Sequence, residues 1–475
     1  MKIVLIRPQF VNKKISFFAY RDPTALAGIC SYLQSKEYDV SLWDYQDIDY
    51  DNYGFKHAVL TCCPAVVGFS CLTPNILIAN DMARIVKSIN PEIVTVVGGC
   101  HSTAIPMQTL KECLYFDIAI IGEGEITFEE LCKKIQNHEN YKNMAGIAYR
   151  DKDKIVINPS RELIKDIDIL PYPARYLYQD NKKRYQHFGR GISHDIHVTD
   201  IFTARGCPNK CTFCAGNLSM KNSGISYRQH SVSYVLGEVE ECIKRYYYDH
   251  LSIMDDTFTI HKKRVYEICA GIRKLGLKSF DCQARVNTVD KELITELVKS
   301  GCKKISFGVE SGSQRILDLI HKNITIDQAR AAFKLARDCR LEIAEGTFMI
   351  GQHPTESIDD IKKTISLMKE LKPDYVSVSI LVPYPGTEIY KEMQMKKYIT
   401  SYDWNKYIML SELPQWHTDY FGPEQLVKIH RKVALAYCLS LGYIFMRLKK
   451  LKSIQELKYL VRSAYDLFKH IVMVR

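Results

Sequence analysis

Short apolar runs alternate with longer amphipathic stretches along most of this chain. Over the first 130 residues, "KIVLI", "DVSLWD", "AVVGFS", "EIVTVVGG" and "DIAIIGEG" have the length and hydrophobicity of buried parallel strands. Between them, "TALAGICSYLQSK" and "ILIANDMARIVKSI" place apolar residues at helical spacing, and "ITFEELCKKI" does so after the last run. This alternation predicts a doubly wound, Rossmann-like parallel sheet. "GIAYRDKDKIVIN" (Gly146 to Asn158) predicts a hairpin with a charged turn, and "IDILPYPARYLY", with two prolines, reads as a linker.

A second series begins at Ile201. Its candidate strands are "DIFTA", "HLSIMDD", "SFDCQARV", "KKISFGVE", "EIAEGTFMIG" and "DYVSVSILVP", and each of the first five precedes a helical pattern. Six such units predict a partial or complete β/α barrel. After Pro383 the pattern turns to an aromatic-rich loop and then basic helices. The expected organisation is α/β: a Rossmann-like domain over 1–140, hairpin and linker over 141–199, a (β/α)6 partial barrel over 200–390 and a helical tail over 391–475.

Composition narrows the class. Of 475 residues, 46% are hydrophobic and 25% charged, as in ordinary globular proteins. The first apolar run is four residues long before Arg7, too short for a signal-peptide core. With no secretory signal, the sixteen cysteines are expected to be reduced and the compartment cytoplasmic. The net charge of +11 is uneven. From Leu426 to Arg475 there are eleven Lys/Arg against Glu456 and Asp466, so +9 of it belongs to the tail.

Candidate chemistry starts at "RGCPNKCTFC", with Cys207, Cys211 and Cys214 inside eight residues. A zinc site wants four ligands, and the nearest histidines lack a matching spacing. A redox dithiol would use "CTFC" and leave Cys207 unexplained. A [4Fe–4S] cluster explains all three: each thiolate holds one iron and the fourth iron stays open. The loop follows a strand at the carboxyl end, where barrel enzymes place their chemistry.

The C-x3-C-x2-C spacing resembles the signature of the radical S-adenosylmethionine (SAM) family, over roughly Ile201 to Tyr390. That resemblance implies that SAM chelates the open iron and is cleaved by one electron to a 5′-deoxyadenosyl radical. It implies an adenine-flanking role for Phe213. It places Asp255 and Asp256 of "MDDTF" where the family binds the SAM amino group; a helix N-cap is the other reading. Glu310 and Ser311, in "SFGVESGS", fall where the ribose and carboxylate bind. Arg285, in "CQARVN", could fork onto the SAM carboxylate, or form a surface salt bridge. "TFMIG" (Thr347 to Gly351) resembles the adenine-contacting segment, and is otherwise a plain buried strand. The sequence assigns no catalytic side chain.

The region from Met1 to about Gln136 resembles the cobalamin-binding domain that precedes many of these barrels. The resemblance assigns Ser70 and Thr73 to the nucleotide-tail cavity, and Gly98, Gly99, Gly122, Glu123 and Gly124 to ligand loops at the same sheet edge. Gly98 and Gly99 carry no Cβ that would obstruct a bulky ligand. Phosphate-binding loops are glycine-rich too, so a nucleotide or flavin is the alternative, although no G-x-G-x-x-G follows the first strand. D-x-H-x-x-G, whose histidine ligates cobalt in methyltransferases and mutases, is missing. His101 is expected to be a loop residue and the corrinoid to lack a histidine ligand.

The implied activity is modification of an unactivated carbon with a [4Fe–4S] cluster, SAM and cobalamin. The leading form is C-methylation, with methylcobalamin as donor. The alternative is a radical cyclisation or rearrangement, as in anaerobic magnesium-protoporphyrin ester cyclases, whose layout with that of hopanoid-modifying enzymes the chain resembles. Methylthio transfer to RNA or protein fits less well: the N-terminal cysteines lack the pattern for a further cluster. A non-enzymatic metal- or RNA-binding protein would leave the barrel motifs unexplained.

Expected partners are a small-molecule or lipid substrate and an electron donor such as flavodoxin or ferredoxin, with no nucleic acid. The tail holds fourteen uncharged residues (Val433 to Met446), then "RLKKLK", then a stripe of Ile454, Leu457, Leu460, Val461, Ala464 and Leu467. Fourteen helical residues span about 21 Å, short of the ~30 Å membrane core. Either the stripe packs on the barrel, or it lies peripherally on an anionic inner membrane face.

Overall fold

The computed structural model describes residues 1–10, 21–46, 51–178, 196–216, 218, 227–408, 413–450 and 461. Strands β1 (Lys2–Arg7), β2 (Asp39–Asp44), β3 (Val66–Ser70), β4 (Val94–Gly98) and β5 (Ile118–Ile120) form a parallel sheet in the order β2-β1-β3-β4-β5. The order reverses between β1 and β3, the switch point of a doubly wound sheet. The continuous apolar run of β1 has a physical reason. Ile3 and Leu5 enter one core with Leu26 and Cys30, while Val4 and Ile6 enter another with Phe55 and Met82. Both faces are covered, so no polar alternation survives. The hairpin of β6 (Ile147–Asp151) and β7 (Lys154–Ile157) adds two antiparallel strands beyond β5.

The second sheet begins with β8 (Val198–Ile201). A small antiparallel pair, β9 (Ala204–Gly206) and β10 (Tyr227–Gln229), stands apart from it. Strands β11 (His250–Ile253), β12 (Ser279–Ala284), β13 (Cys302–Glu310), β14 (Ile343–Ile350) and β15 (Tyr375–Ile380) complete six parallel strands in the order β8-β11-β12-β13-β14-β15. Ile305, Phe307 and Val309 of β13 are fully buried, with Phe307 against Phe333 of the helical layer at 5.2 Å. The alternate residues face the concave side and are polar. Ser306 Oγ donates to Glu345 Oε2 at 2.5 Å and Lys304 Nζ to the same oxygen at 3.1 Å. Closed barrels fill this space with branched apolar side chains; here the partial barrel keeps a polar trough.

The aromatic-rich loop after Pro383 binds the two sheets together. Trp404, Tyr407 and Trp416 are fully buried, and the Trp404 indole N–H donates to Glu112 of the first domain at 2.6 Å. Helix Pro423–Cys438 covers β15, where His430 Nε2 meets the Val378 carbonyl at 2.9 Å. Among the described residues no helix is long and apolar enough to cross a membrane. Of the stripe expected in 454–467, only Val461 lies within the described residues; it is exposed.

Candidate functional site: a thiol loop facing a glycine-rich sheet edge

The cysteine loop leaves the barrel on a braced stem. The buried carboxylate of Asp255, just past β11, accepts from Thr203 N at 2.6 Å, Thr203 Oγ1 at 2.5 Å and Ala204 N at 3.1 Å. Burial pushes Asp255 up to about 6 against these bonds. Arg264 adds 2.8 Å bonds to the carbonyls of Thr203 and His230. Gly206 then turns the chain at φ +84° into the cysteines. Asp255 is thus committed to the stem and caps no helix. Asp256 is exposed beside Gly216, where a Cβ would lie 3.0 Å from its Oδ2.

Cys207 is buried, with Asn209 Nδ2 3.2 Å from its Sγ and Thr257 Oγ1 at 3.8 Å. Cys211 is half-buried, its Sγ 3.8 Å from Arg285 Nη1. Cys214 is exposed and accepts from Gly216 N at 3.4 Å. Two 3.1 Å backbone bonds, Thr212 N to the Ile320 carbonyl and Ile389 N to the Thr212 carbonyl, fasten the loop to the barrel mouth. Among the described residues no group of three His, Cys, Asp or Glu converges on one ion. Three thiols on one fastened loop fit a cluster, which takes one thiolate per iron.

Around this loop lie the other expected residues. Phe213 is half-buried against the core. Arg285 is buried, not part of a surface salt bridge; its Nη2 donates to the Lys322 carbonyl. Glu310 ends β13 with φ +70°, and its Oε1 takes Lys322 Nζ at 2.7 Å. Ser311 turns away: fully buried, its hydroxyl accepts from Ser313 N at 3.1 Å and lies 3.3 Å from Thr364 Oγ1. Past β14, Glu356 accepts from the N–H groups of Gly351 and Gln352 and is fully buried. Burial pushes its carboxyl up to about 8, opposed by those two bonds. Lys322 and Glu356 carry no motif spacing that sequence reasoning could have used.

Facing the loop, the first sheet opens a cavity of about 330 Å³ at the carboxyl ends of β3, β4 and β5. Ser70, Gly98, Gly99, Gly122, Glu123 and Gly124 line it, with Phe69 and Phe128 from the first domain and Arg205, His230 and Tyr234 from the second. Gly99 has φ +105°, and a Cβ there would lie 2.3 Å from the Cys71 carbonyl oxygen. At Gly122 a Cβ would meet nothing within 4 Å, so that edge is open. A glycine cradle beside an apolar chamber fits a large flat ligand with a tail.

Two expected ligand contacts behave differently. Thr73 is buried outside the cavity lining, its Oγ1 3.2 Å from His101 Nδ1. His101 is not a loop residue. It lies in helix Cys100–Ala104, buried, with its ring 5.2 Å from Trp404 and its Nε2 without a hydrogen bond. Burial pulls it down to about 4, so it is neutral. Glu123 joins the domains: Arg205 Nη1 donates to its Oε1 at 2.8 Å, and Arg228 donates to Oε1 at 2.8 Å and Oε2 at 3.0 Å. Burial raises its pKa, but the Arg228 and Arg205 bonds and charges outweigh this and hold it below the usual range. Arg205 stands two residues before Cys207, so one residue ties the thiol loop to the glycine edge.

Comparison with known proteins decides what the two halves are. The Radical SAM superfamily model matches residues 201–396, and the B12 binding domain model matches 22–132. The chain is 32% identical over 441 residues to an uncharacterized methyltransferase of Pyrococcus horikoshii, covering 92% of this chain and 93% of that one. It belongs to the B12-binding radical SAM enzymes. An anaerobic magnesium-protoporphyrin IX monomethyl ester cyclase of Rubrivivax gelatinosus is 28% identical, over 86% of this chain and 72% of that one. The fold is shared with the cobalamin-dependent SAM radical enzyme OxsB, at TM-score 0.74 and 17% identity, over 99% of this chain and 71% of that one. This radical SAM enzyme accordingly works with a [4Fe–4S] cluster, SAM and cobalamin, and acts on a small molecule with a reductant.

Proposed function

We propose that this enzyme C-methylates an unactivated carbon. One observation carries the reading: the glycine edge of the first domain and the thiol loop of the barrel face each other and share Arg205, which bonds Glu123 and Glu125 on one side and leads into Cys207 on the other. Cys207, Cys211 and Cys214 would hold the cluster, with Arg285 and Glu310 near SAM. The glycine edge would hold the corrinoid. Cobalamin, when bound, supplies a cobalt able to carry a methyl group. Overall, a substrate C–H becomes C–CH3. The hydrogen leaves in 5′-deoxyadenosine with methionine as co-product, the methyl comes from a second SAM that leaves as S-adenosylhomocysteine, and a flavodoxin- or ferredoxin-type donor supplies the two electrons that this balance needs. The resemblance to a methyltransferase along nearly all of both chains supports this over the cyclase reading. Anaerobic turnover that yields both S-adenosylhomocysteine and 5′-deoxyadenosine checks it; 5′-deoxyadenosine alone would favour cyclisation.

A peripheral membrane contact has its own observation. Helix Leu441–Lys449 is mounted apolar side out. Inward, Arg447 Nη2 donates to the Tyr375 hydroxyl at 2.8 Å and Lys450 pairs with Asp374 at 2.5 Å. Outward, Leu441 (86% exposed) and Phe445 (62%) lie beside Leu448 and Lys449. An exposed apolar stripe in a strongly basic region suits an anionic lipid surface, and through it a lipid or other apolar substrate. Salt-sensitive co-sedimentation with phosphatidylglycerol vesicles, lost in Leu441→Asp/Phe445→Asp, is the expected result. Vesicle binding unchanged in that variant, or a dimer that the variant dissolves, overturns it.

A further inference from the structure

The barrel mouth contains a lysine that no motif marks. Lys322 is flanked by His321 and Asn323, both with left-handed backbone at φ +52° and +51°. Glu310, across from it, is also left-handed at φ +70°. Side chains with a Cβ avoid this region, and such residues gather where surrounding structure holds a functional geometry. All three converge on one ion pair. Lys322 Nζ donates to Glu310 Oε1 at 2.7 Å, and the two side chains are 7% and 10% exposed. Gly308 makes the room, since a Cβ there would lie 2.7 Å from Nζ and 2.8 Å from Oε1.

The pair is only half used. No described residue donates a hydrogen bond to Glu310 Oε2. On its other side, the Lys322 carbonyl accepts from Arg285 Nη2, whose Nη1 lies 3.8 Å from Cys211 Sγ. One residue thus sets both a carboxylate with an open oxygen and a guanidinium beside a cluster thiol. An open carboxylate oxygen accepts from hydroxyls, and a guanidinium fork takes a carboxylate. SAM carries a ribose diol and a methionine carboxylate. A purely structural ion pair would need neither the open oxygen nor left-handed backbone at Glu310 and on both sides of Lys322.

We propose that Lys322 is the positioning residue of the SAM site. Its ammonium holds Glu310 Oε1 so that Oε2 meets the ribose hydroxyls, and its carbonyl aims Arg285 at the SAM carboxylate. The inference rests on SAM being the ligand of this mouth. The full chain, reconstituted anaerobically and reduced, is titrated with SAM, and the change in the cluster's paramagnetic resonance spectrum is followed. Lys322→Met keeps wild-type iron and the SAM-free spectrum, but needs about tenfold more SAM for half the change. Lys322→Arg, which keeps the charge, stays within about threefold of wild type. Glu310→Gln also weakens SAM, and adding Lys322→Met to it costs nothing further, because the lysine acts through the glutamate.

A Lys322→Met midpoint equal to wild type overturns the proposal. So does a further tenfold loss in the double variant, which would make Lys322 an independent SAM contact. Loss of iron in both Lys322→Met and Lys322→Arg overturns it in favour of a structural role. A wild-type spectrum that ignores SAM removes the SAM reading itself, and this inference with it.

Discussion

The two ligand edges of this enzyme face each other but are built in opposite ways. The first domain presents backbone: Gly98, Gly99 and Gly122 strip the sheet edge of Cβ atoms beside a chamber walled by Phe69 and Phe128. The barrel mouth presents side chains: three thiols, Arg285 and the Glu310–Lys322 pair, fixed by buried bonds and left-handed backbone. Shape at one edge suits a bulky cofactor, and charge and thiolate chemistry at the other suit a cluster and SAM. The edges should therefore fail separately, except where Arg205 and Arg228 join them through Glu123.

The sharpest separation is at the thiols. Cys207→Ala should abolish cluster iron and 5′-deoxyadenosine release, because two thiolates cannot fix the cube. Corrinoid binding should persist in that variant, which titration with hydroxocobalamin measures. A cluster at full iron content in Cys207→Ala would break the division.

At the opposite edge, Gly99→Ala meets a backbone oxygen at 2.3 Å in a backbone region closed to alanine. The expected cost is ~3 kcal/mol, with corrinoid binding lost and iron content unchanged. Gly98→Ala is the control for backbone strain alone, since its Cβ would meet only Ile120 Cβ at 3.9 Å. Wild-type corrinoid affinity in both variants would refute the cradle.

The joint between the edges comes next. Arg228→Met leaves the half-buried Glu123 with Arg205 as its remaining guanidinium partner. Removing one member of a buried pair costs about 3 kcal/mol. Both ligands should weaken together while each domain stays folded, as limited proteolysis between 141 and 199 would report.

The smallest effect is on pH. The folded pKa of Glu356 is raised by burial to about 8. Its protonated form is thus favoured in the fold, and that stability is fully present below the unfolded value and lost as pH rises through 8. Asp255, raised to about 6, acts in the same direction at lower pH. The wild-type melting temperature should fall relative to Glu356→Gln between pH 5 and 9. Parallel melting curves over that range would show Glu356 to be indifferent to its burial.

Some of this was legible along the chain. Strand continuity in "KIVLI" signalled a sheet covered on both faces, and β1 sends alternate residues into two cores. The grouping of the three thiols was legible because they lie within one short loop, where sequence distance bounds spatial distance. Other assignments failed to carry through to contacts. Ser311 and Thr73 sit at the expected strand ends, yet their hydroxyls point into buried networks with Thr364 and His101. Asp255 holds a turn, and His101 is a buried residue of a short helix. Which way a side chain points at a strand end depends on what packs there, and that is decided by residues far away in the chain.

The sequence by itself determined the layers, the paired-domain order and the three thiols, because each follows from local periodicity or local spacing. Tertiary structure alone decided the joint and the mouth. Glu123 meets Arg228 across 105 residues, Arg285 meets Cys211 across 74, and Trp404 reaches Glu112 across 292. Glu310 and Lys322 are twelve residues apart, but only left-handed backbone and the vacancy over Gly308 let their charges meet. Such contacts leave no period in the sequence, since their partners are chosen by the packing of whole elements.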